Sequence, residues 1–258
     1  MMAVHNSRAR TILVVGASGA TGRELVEQLL ERGNFVRIIV RSTSYLPDNI
    51  KNHDKLMVTE ASLLDLSERE MGELVKECDA VASCLGHNMT FKGMFGAPRR
   101  LVTDATRRLC KAIRDHKPEK PVKFVLMNSS GNSNRDINEQ ISFAQKCVIG
   151  LIRTLVPPHA DNENAADYLR TEVGQNDSEI EWVVVRPDSL TNESDITEFE
   201  LHASPIRSAI FNSGKVSRIN VGCFMADLIE DDEIWRQWQG QMPVIYSRET
   251  DTGQMKIY

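Results

Sequence analysis

The chain has 258 residues, a net charge of −5, 41% hydrophobic residues and 26% charged residues. This length supports one sizeable α/β core, and the acidic balance argues against a general nucleic-acid-binding protein. No apolar run approaches the roughly 18 residues that cross a bilayer. The first ten residues have no apolar segment of the signal-peptide type, so we expect a cytoplasmic protein with no membrane or nucleic-acid partner.

Short apolar segments rich in valine and isoleucine alternate with helical patterns along the chain. The predicted strands span residues 11–15, 35–40, 55–58, 79–84, 122–127 and 181–186, and the predicted helices span 21–32, 67–77, 99–116 and 162–173. This alternation is typical of right-handed βαβ crossovers. We therefore predict an α/β fold of the Rossmann type, a doubly wound parallel sheet with helices on both faces. It forms a single domain over residues 1–258, with a small substrate-side portion at about 187–258.

The first predicted strand ends in a glycine-rich turn that opens a helix, with the sequence Gly16-Ala17-Ser18-Gly19-Ala20-Thr21-Gly22. This order places a helix N-terminus where a pyrophosphate can sit. Gly16 is expected to turn tightly, Gly19 to let phosphate approach the backbone, and Gly22 to let the helix pack closely. Thr21 and Glu24 have the spacing of a capping box. The predicted cofactor contacts are Gly16, Ser18, Gly19, Ala20, Thr21 and Gly22. The alternative is a tight turn that binds nothing.

Arg41 directly follows the second predicted strand and lies 19 residues beyond Gly22, where sites for NAD usually have an acidic residue. An arginine there pairs well with a 2′-phosphate, and the hydroxyl of Ser42 adds a donor. We therefore predict that NADP(H) is preferred over NAD(H). The alternative is an Arg41 that pairs with a surface carboxylate.

Ligands bind at the carboxyl ends of parallel strands, so the residues that follow the other strands are further candidates. The predicted cofactor contacts there are Glu60, Ala61, Cys84, Leu85, Gly86, Asn128 and Ser129. The predicted substrate pocket consists of His87, Ser130, Pro187 and Ser189. For Cys84 the alternative is a small buried apolar residue, and for His87 it is a solvated loop histidine.

The five cysteines include no C-x-x-C pair, and the six histidines have no ligand spacing, so we predict reduced thiols and no metal site. Segment 137–156 carries a helical stripe that Pro157-Pro158 should end, and Asp161 has the character of the next N-cap. The stripe consists of Ile141, Ala144, Val148, Ile152 and Leu155. We interpret it as an extra helix packed on the core. The alternatives are a lid, or a surface at 137–160 for a homodimer or a regulatory partner.

The chain resembles the atypical short-chain dehydrogenase/reductases with a single NAD(P)H-binding domain. The resemblance covers most of the chain and includes residues 16–22, Val40-Arg41-Ser42, 79–86, 183–187 and 216–221. Within that group the chain is most similar to the flavin reductase/biliverdin-IXβ reductase proteins, through residues 41–47 and 217–225. The resemblance implies the Rossmann-type fold, the use of NADPH and a functional serine at Ser129. Where that group has a histidine, this chain has Ser189, and where the group usually has an aspartate, this chain has Glu60. These two differences argue against the reduction of tetrapyrroles.

Classical members use a Tyr-x-x-x-Lys pair for proton transfer, but Tyr168 is followed at that spacing by Glu172, so we interpret Tyr168 as a packing residue. We expect an NADPH-dependent oxidoreductase that transfers a hydride to a flat small-molecule acceptor such as a flavin or a quinone, with Ser129 as its catalytic hydrogen-bond donor. The alternative is a non-catalytic NADP(H)-binding regulator similar to the NmrA-like proteins. A nucleotide-sugar epimerase or dehydratase would require the missing pair and a larger C-terminal domain.

Overall fold

The computed structural model describes residues 8–87, 96–140 and 142–248. Its main sheet has the strand order β3-β2-β1-β4-β5-β6-β10-β8, and β7 pairs with β9 beside it. All neighbouring strands are parallel except β10 and β8. The strands are β1 (Thr11–Val15), β2 (Phe35–Val40), β3 (Leu56–Glu60), β4 (Ala80–Ser83), β5 (Val122–Met127), β6 (Ile180–Pro187), β7 (Ser189–Thr191), β8 (Phe199–His202), β9 (Lys215–Ser217) and β10 (Val244–Ser247).

Helices cover both faces of the main sheet, which confirms the predicted doubly wound architecture. The helices are α1 (Ala20–Glu31), α2 (Asp48–Lys51), α3 (Glu68–Val75), α4 (Leu101–His116), α5 (Phe143–Leu155), α6 (Pro157–Tyr168), α7 (Arg218–Glu230) and α8 (Asp232–Trp238). A π-helical turn, Leu169–Val173, continues α6. Within the described residues, every helix is too short or too polar to span a bilayer.

The sheet separates two cores, and alternate residues of each strand supply them. Val14 of β1 lies in the core that contains Leu25 of α1 and Phe224 of α7. Its neighbour Leu13 lies in the opposite core with Leu109 of α4. A strand that is buried on both faces shows a continuous apolar run rather than alternation. This explains why the runs that predicted the central strands are so clear in the sequence.

Two predicted helix starts are wrong. Helix α1 has Gly19 at its N-cap and begins at Ala20, so Thr21 is buried inside the first turn and forms no capping box. Helix α6 begins at Pro157, a residue well suited to a first helical position, so Pro157-Pro158 starts a helix immediately after α5 ends. Asp161 therefore lies within α6 and is not its N-cap.

The C-terminal elements, α7, α8 and strands β7 to β10, are absent from the predicted set. The strands have only three or four residues each. Helix α7 buries nine of its residues, including Asn220, and so lacks a polar face. A helix that is buried nearly all round gives no amphipathic signal. Through β10 and β8 this part of the chain extends the main sheet beyond β6.

Candidate functional site

The glycine turn between β1 and α1 leaves no space for side chains at two positions. Gly16 has a φ of 78°, and a Cβ on it would lie 2.5 Å from the carbonyl carbon of Cys84. A Cβ on Gly22 would lie 2.2 Å from the carbonyl oxygen of Gly16. The tight turn predicted for Gly16 and the close packing predicted for Gly22 are therefore confirmed. The turn fixes the start of α1 against the end of β4.

The N-terminus of α1 fits a phosphate group. Gly19 is exposed, and no side chain among the described residues caps this helix. The first turn contains no acidic residue, so nothing in it repels an anion. The N–H groups of Ala20, Thr21 and Gly22 have no intrahelical partner at this end, and the helix dipole adds a partial positive charge. Ser18, in the turn before them, is half-buried.

The carboxyl ends of β2 and β3 are held side by side. Ala61 donates its N–H to the carbonyl of Val40 at 2.8 Å, and Thr43 donates its N–H to Glu60 Oε2 at 3.4 Å. The hydroxyl of Ser42 accepts the Ser44 N–H at 3.2 Å. Arg41 is exposed and makes no ion pair within 4.0 Å of any residue in the described part of the chain. Its guanidinium is thus accessible to a ligand, and the alternative pairing with a surface carboxylate finds no support.

At the end of β4 the cysteine side chain is buried, and the group that is open to a ligand is the backbone. Cys84 is buried, with its Sγ 4.0 Å from Met225 Sδ, and burial raises the pKa of its thiol to about 12. This confirms the alternative interpretation of Cys84 as a small buried residue. Leu85 packs partly against the core, whereas Gly86 is exposed and a Cβ on it would contact nothing within 4 Å.

His87 lies in the interior instead of in a solvated loop. Its Nε2 is 2.8 Å from Asp161 Oδ2, and the two side chains are 4% and 1% exposed. Asp161 also accepts the N–H groups of Val102 and Thr103 at 2.8 and 2.9 Å. Asp161 on α6 therefore caps α4 and binds the end of β4 through His87. The role of His87 in a substrate pocket stays a prediction.

At the end of β5, Asn128 braces the turn that presents Ser129. Its carboxamide donates to the carbonyl of Asn162 at 2.9 Å and accepts the N–H of Ser129 at 2.9 Å. The same oxygen is bonded to the Asn132 side chain. Ser129 is partly exposed, and its Oγ accepts the Gly131 N–H at 3.2 Å. Ser129 thus places a hydroxyl at the sheet edge on a fixed backbone.

The end of β6 supplies a carboxylate that the predicted set lacks. Ser130 donates its N–H to the carbonyl of Pro187 at 2.9 Å, which joins the ends of β5 and β6. Asp188 accepts the Gly214 N–H at 2.9 Å, and burial raises the pKa of its carboxyl. Ser189 is exposed and donates its N–H to the carbonyl of Gly214. The position of Asp188, directly after a buried strand, was a signal that could have identified it.

A buried ion pair anchors the loop after β5. Arg186 Nη2 lies 2.7 Å from Glu139 Oε1, and Arg186 also donates to the carbonyl of Asn132 at 2.7 Å and to that of Met242 at 2.6 Å. These bonds connect loop residues 132–139 with β6 and with the segment before β10. An arginine within a run of valines is the sequence signal for such a pair.

The predicted stripe of segment 137–156 differs from the face that α5 buries. Ile141 lies outside the described residues, Ala144 is exposed, and Val148 and Ile152 are half-buried. Leu155 is 59% exposed, whereas Ile149 is only 6% exposed. The buried face is therefore centred on Ile149, and the predicted stripe is wrong in register.

Tyr168, at the end of α6, packs against the core with Arg107 5.4 Å from its ring centroid, as its interpretation as a packing residue requires.

Comparison with known proteins decides the family. A family described as NAD(P)H-binding matches residues 16–232, which include both the glycine turn and the ends of β4 to β6. The chain belongs to this NAD(P)H-binding family. The N-terminus of α1 and the strand ends around it are the part of the fold at which such a family binds its nucleotide.

Solved structures of similar fold support the family assignment. A short-chain dehydrogenase/reductase of Veillonella parvula in complex with NADP superimposes with a TM-score of 0.68 at 16% identity, over 94% of this chain and 97% of the other. A Streptococcus pneumoniae protein proposed to be an NADH-flavin reductase gives a TM-score of 0.61 at 15% identity, over 93% and 100%. At these identities the likeness shows the fold alone.

A curated relative is more similar in sequence but longer. An uncharacterised chloroplast protein of Arabidopsis thaliana is 25% identical over 190 residues, which are 72% of this chain and 61% of that protein. The chain thus matches about three-fifths of its length.

Proposed function

We propose that this NAD(P)H-binding protein is an NADPH-dependent oxidoreductase that transfers a hydride to a flat acceptor such as a flavin or a quinone. The observation that carries the proposal is the uncapped N-terminus of α1, held by Gly16 against the backbone of Cys84. A pyrophosphate on this helix end directs the rest of a dinucleotide along the carboxyl ends of the strands. Bound NADPH supplies the hydride from its nicotinamide ring.

The proposed preference for NADPH rests on Arg41. Its side chain is exposed at the end of β2, where the adenosine ribose of a dinucleotide lies in this fold. A guanidinium binds phosphate oxygens through two parallel hydrogen bonds. Glu60, on the neighbouring strand, is exposed and accepts the Thr43 N–H at 3.4 Å.

Ser129 is the proposed hydrogen-bond donor on the reacting side. Its N–H is fixed by Asn128 at 2.9 Å, and its hydroxyl points to the turn that Gly131 forms. A hydroxyl held in this way can position a nicotinamide carboxamide or a carbonyl oxygen of the acceptor. Flavins and quinones can take their proton from water, so the reaction does not require a Tyr-x-x-x-Lys pair.

The test is anaerobic oxidation of NADPH, followed at 340 nm, with flavin mononucleotide, flavin adenine dinucleotide and a series of benzo- and naphthoquinones. We expect turnover with at least one of them, and calorimetry should show that NADPH binds more tightly than NADH. NADPH that binds without turnover on any acceptor would contradict the proposed reaction and leave cofactor binding intact. An absence of binding would contradict both.

One observation favours a second candidate, a regulator that senses NADP(H). Leu151 and Leu155 of α5 are both 59% exposed, one turn apart on the same helix. Neighbouring exposed leucines are typical of surfaces that bind other proteins. A regulator would bind NADPH without oxidising it with any acceptor, and an isolated partner would bind to 137–160 more tightly in one cofactor state. Turnover numbers for the acceptors above therefore discriminate between the two.

A further inference from the structure

The first turn of α6 places a histidine opposite Ser129. A Cβ on Gly131 would lie 3.5 Å from Ser129 Oγ and 3.5 Å from His159 Cε1, with His159 Nδ1 at 4.0 Å. The hydroxyl and the imidazole therefore both flank Gly131 on the side where a Cβ would project. The Cε1–Nδ1 edge of the ring faces this side of Gly131. His159 is distant from Ser129 in sequence, and no spacing rule indicates that the two lie near each other.

The other ring nitrogen, Nε2, faces a carboxylate. His159 Nε2 is buried without a hydrogen-bond partner among the described residues, and Glu163 Oε1, one helical turn later, is 3.6 Å away. Arg153 of α5 holds Glu163 through two bonds of 2.5 and 2.8 Å. Burial opposes ionisation of Glu163, but the neighbouring His159 and Arg153 side chains outweigh it and lower the pKa of its carboxyl to about 2.

A carboxylate beside one ring nitrogen fixes the orientation of an imidazole. Glu163 Oε1, 3.6 Å from His159 Nε2, has this effect on His159. The ring can then give up a proton from Nδ1 on the side of Ser129, while Nε2 stays directed at Glu163. This is the arrangement of a general acid whose second nitrogen is held by a carboxylate.

Other titratable groups near these strand ends are engaged differently. His87 is bonded to Asp161, which caps α4. Asp188 accepts the Gly214 N–H and is also hydrogen-bonded to the Ser130 side chain and the Ser189 backbone. Tyr168 lies more than two turns further along α6, under Arg107. Of these groups and His159, only the imidazole of His159 flanks Gly131 together with the Ser129 hydroxyl.

We propose that His159 is the proton donor of the reaction, positioned by Glu163, and that the acceptor it serves is a quinone-type carbonyl compound. This inference rests on the proposed function. The acceptor gains a hydride, with two electrons, from NADPH, which leaves NADP⁺. The Nδ1–H bond of the imidazolium breaks, and an O–H bond forms on the reduced carbonyl oxygen. The neutral imidazole regains its proton from water, so quinone, NADPH and one proton give hydroquinone and NADP⁺.

The kinetic test compares His159→Gln, His159→Ala and the control His116→Gln, whose imidazole is exposed at the end of α4. With 1,4-naphthoquinone under anaerobic conditions, we expect both His159 variants to lose about a hundredfold in kcat, a typical share for general acid catalysis. The Kd for NADPH should stay unchanged. Free imidazole should restore turnover to His159→Ala, and His116→Gln should behave as the wild type. Full turnover in folded His159→Gln would overturn the assignment.

A second measurement does not depend on turnover or on a variant folding correctly. Ring ¹⁵N spectra of the wild type, saturated with NADP⁺, are recorded during titration with 1,4-naphthohydroquinone. We expect the His159 signals to move and the His116 signals to stay fixed. Stationary His159 signals, with hydroquinone binding shown by calorimetry, would overturn the proposal while the reductase function stands. Failure of the wild type to oxidise NADPH with every acceptor would instead overturn the proposed function and, with it, the role of His159.

Discussion

Gly16 and Cys84 face each other so closely that a Cβ on Gly16 would lie 2.5 Å from the carbonyl carbon of Cys84. Backbone, rather than a flexible side chain, occupies that space. The φ of 78° at Gly16 is also unfavourable for any residue with a Cβ. Two parts of the chain that are far apart in sequence are therefore fixed together at the point where the nucleotide is proposed to bind.

Gly16→Ala should consequently destabilise the fold by about 3 kcal/mol, because it combines a strained backbone with a clash against β4. The measurement is urea unfolding followed by circular dichroism. Gly72→Ala is the matched control, since a Cβ on Gly72 of α3 contacts nothing within 4 Å. Replacing a helical glycine by alanine at such a site stabilises a helix by roughly 1 kcal/mol or less. Equal stability of the two variants would contradict the steric interpretation.

Gly19→Val should abolish measurable binding of NADPH and leave the fold largely intact. Gly19 has a φ of −74° and a ψ of 160°, which valine adopts readily, and its Cβ would contact only the Gly16 carbonyl oxygen at 3.1 Å. The branched side chain would instead occupy the space of a phosphate at the α1 N-terminus. Calorimetric titration beside circular dichroism tests this. Unchanged affinity in a folded variant would contradict the assignment of a pyrophosphate site to this helix end.

Ser129→Ala should lower turnover about tenfold, because one positioning hydrogen bond is worth roughly 0.5–1.5 kcal/mol. The backbone around it should not move, since Asn128 binds the N–H of Ser129 rather than its hydroxyl. Steady-state rates with an accepted quinone provide the measurement. A complete loss of turnover in a folded variant would mean that the proton passes through Ser129 itself. An unchanged rate would exclude Ser129 from the reaction.

The residues that the sequence alone could identify are those whose constraints are local. Gly16 and Gly22 belong to one turn, and the steric demand of a strand–turn–helix unit determines their spacing. Asp161 shows the limit of this approach. Its character as a capping residue is correct, but the helix that it caps begins at Leu101 and is brought to it only by the tertiary fold.

His159 and α7 were missed for different reasons. The neighbours of His159 are Gly131 on a preceding loop and Glu163 on its own helix, and only the second has a recognisable spacing. Helix α7 buries nine of its residues, among them Asn220, Phe224 and Met225, so its hydrophobic pattern has no clear period. Burial that depends on neighbours from the whole fold cannot be inferred from one segment.

Glu163→Gln should reveal a pH-dependent contribution to stability. The folded-state pKa of Glu163 is lowered from 4.5 to about 2, because the neighbouring His159 and the hydrogen-bonded Arg153 overcome the opposing effect of burial. A carboxyl whose pKa is lowered on folding stabilises the protein above the pKa of the unfolded chain. The contribution is thus complete above pH 4.5 and is lost as the pH falls through about 2.

We expect the wild type to be more stable than Glu163→Gln by about 1 kcal/mol at pH 7, because Arg153 is half exposed and solvent screens the pair. The difference should shrink steadily in unfolding experiments from pH 5 to pH 2.5. Glu68→Gln is the control, since that carboxylate is exposed beside Lys111. A difference that grows on acidification would show that Glu163 is protonated in the folded protein.

Arg41 determines the proposed cofactor preference, and its replacement should separate the two nucleotides. Arg41→Ala should weaken NADPH binding and leave NADH binding nearly unchanged, because only NADPH carries a 2′-phosphate. A hydrogen bond to a charged group is worth roughly 1.5–3 kcal/mol. This corresponds to an increase of about ten- to a hundredfold in the Kd for NADPH. The effect should decrease with added salt, because the guanidinium is exposed and screened.

Arg41→Asp should weaken NADPH binding more than Arg41→Ala does. The new carboxylate would repel the 2′-phosphate, in addition to the repulsion from Glu60, and would accept a hydrogen bond from the ribose hydroxyl. The measurement is a paired titration of the wild type and both variants with NADPH and NADH at two salt concentrations. Arg69→Ala serves as a matched control, since Arg69 is an exposed arginine on α3 rather than at the end of β2. If the wild type binds both nucleotides equally, or if both variants weaken both nucleotides alike, Arg41 does not recognise the 2′ position. The preference for NADPH would then need another source.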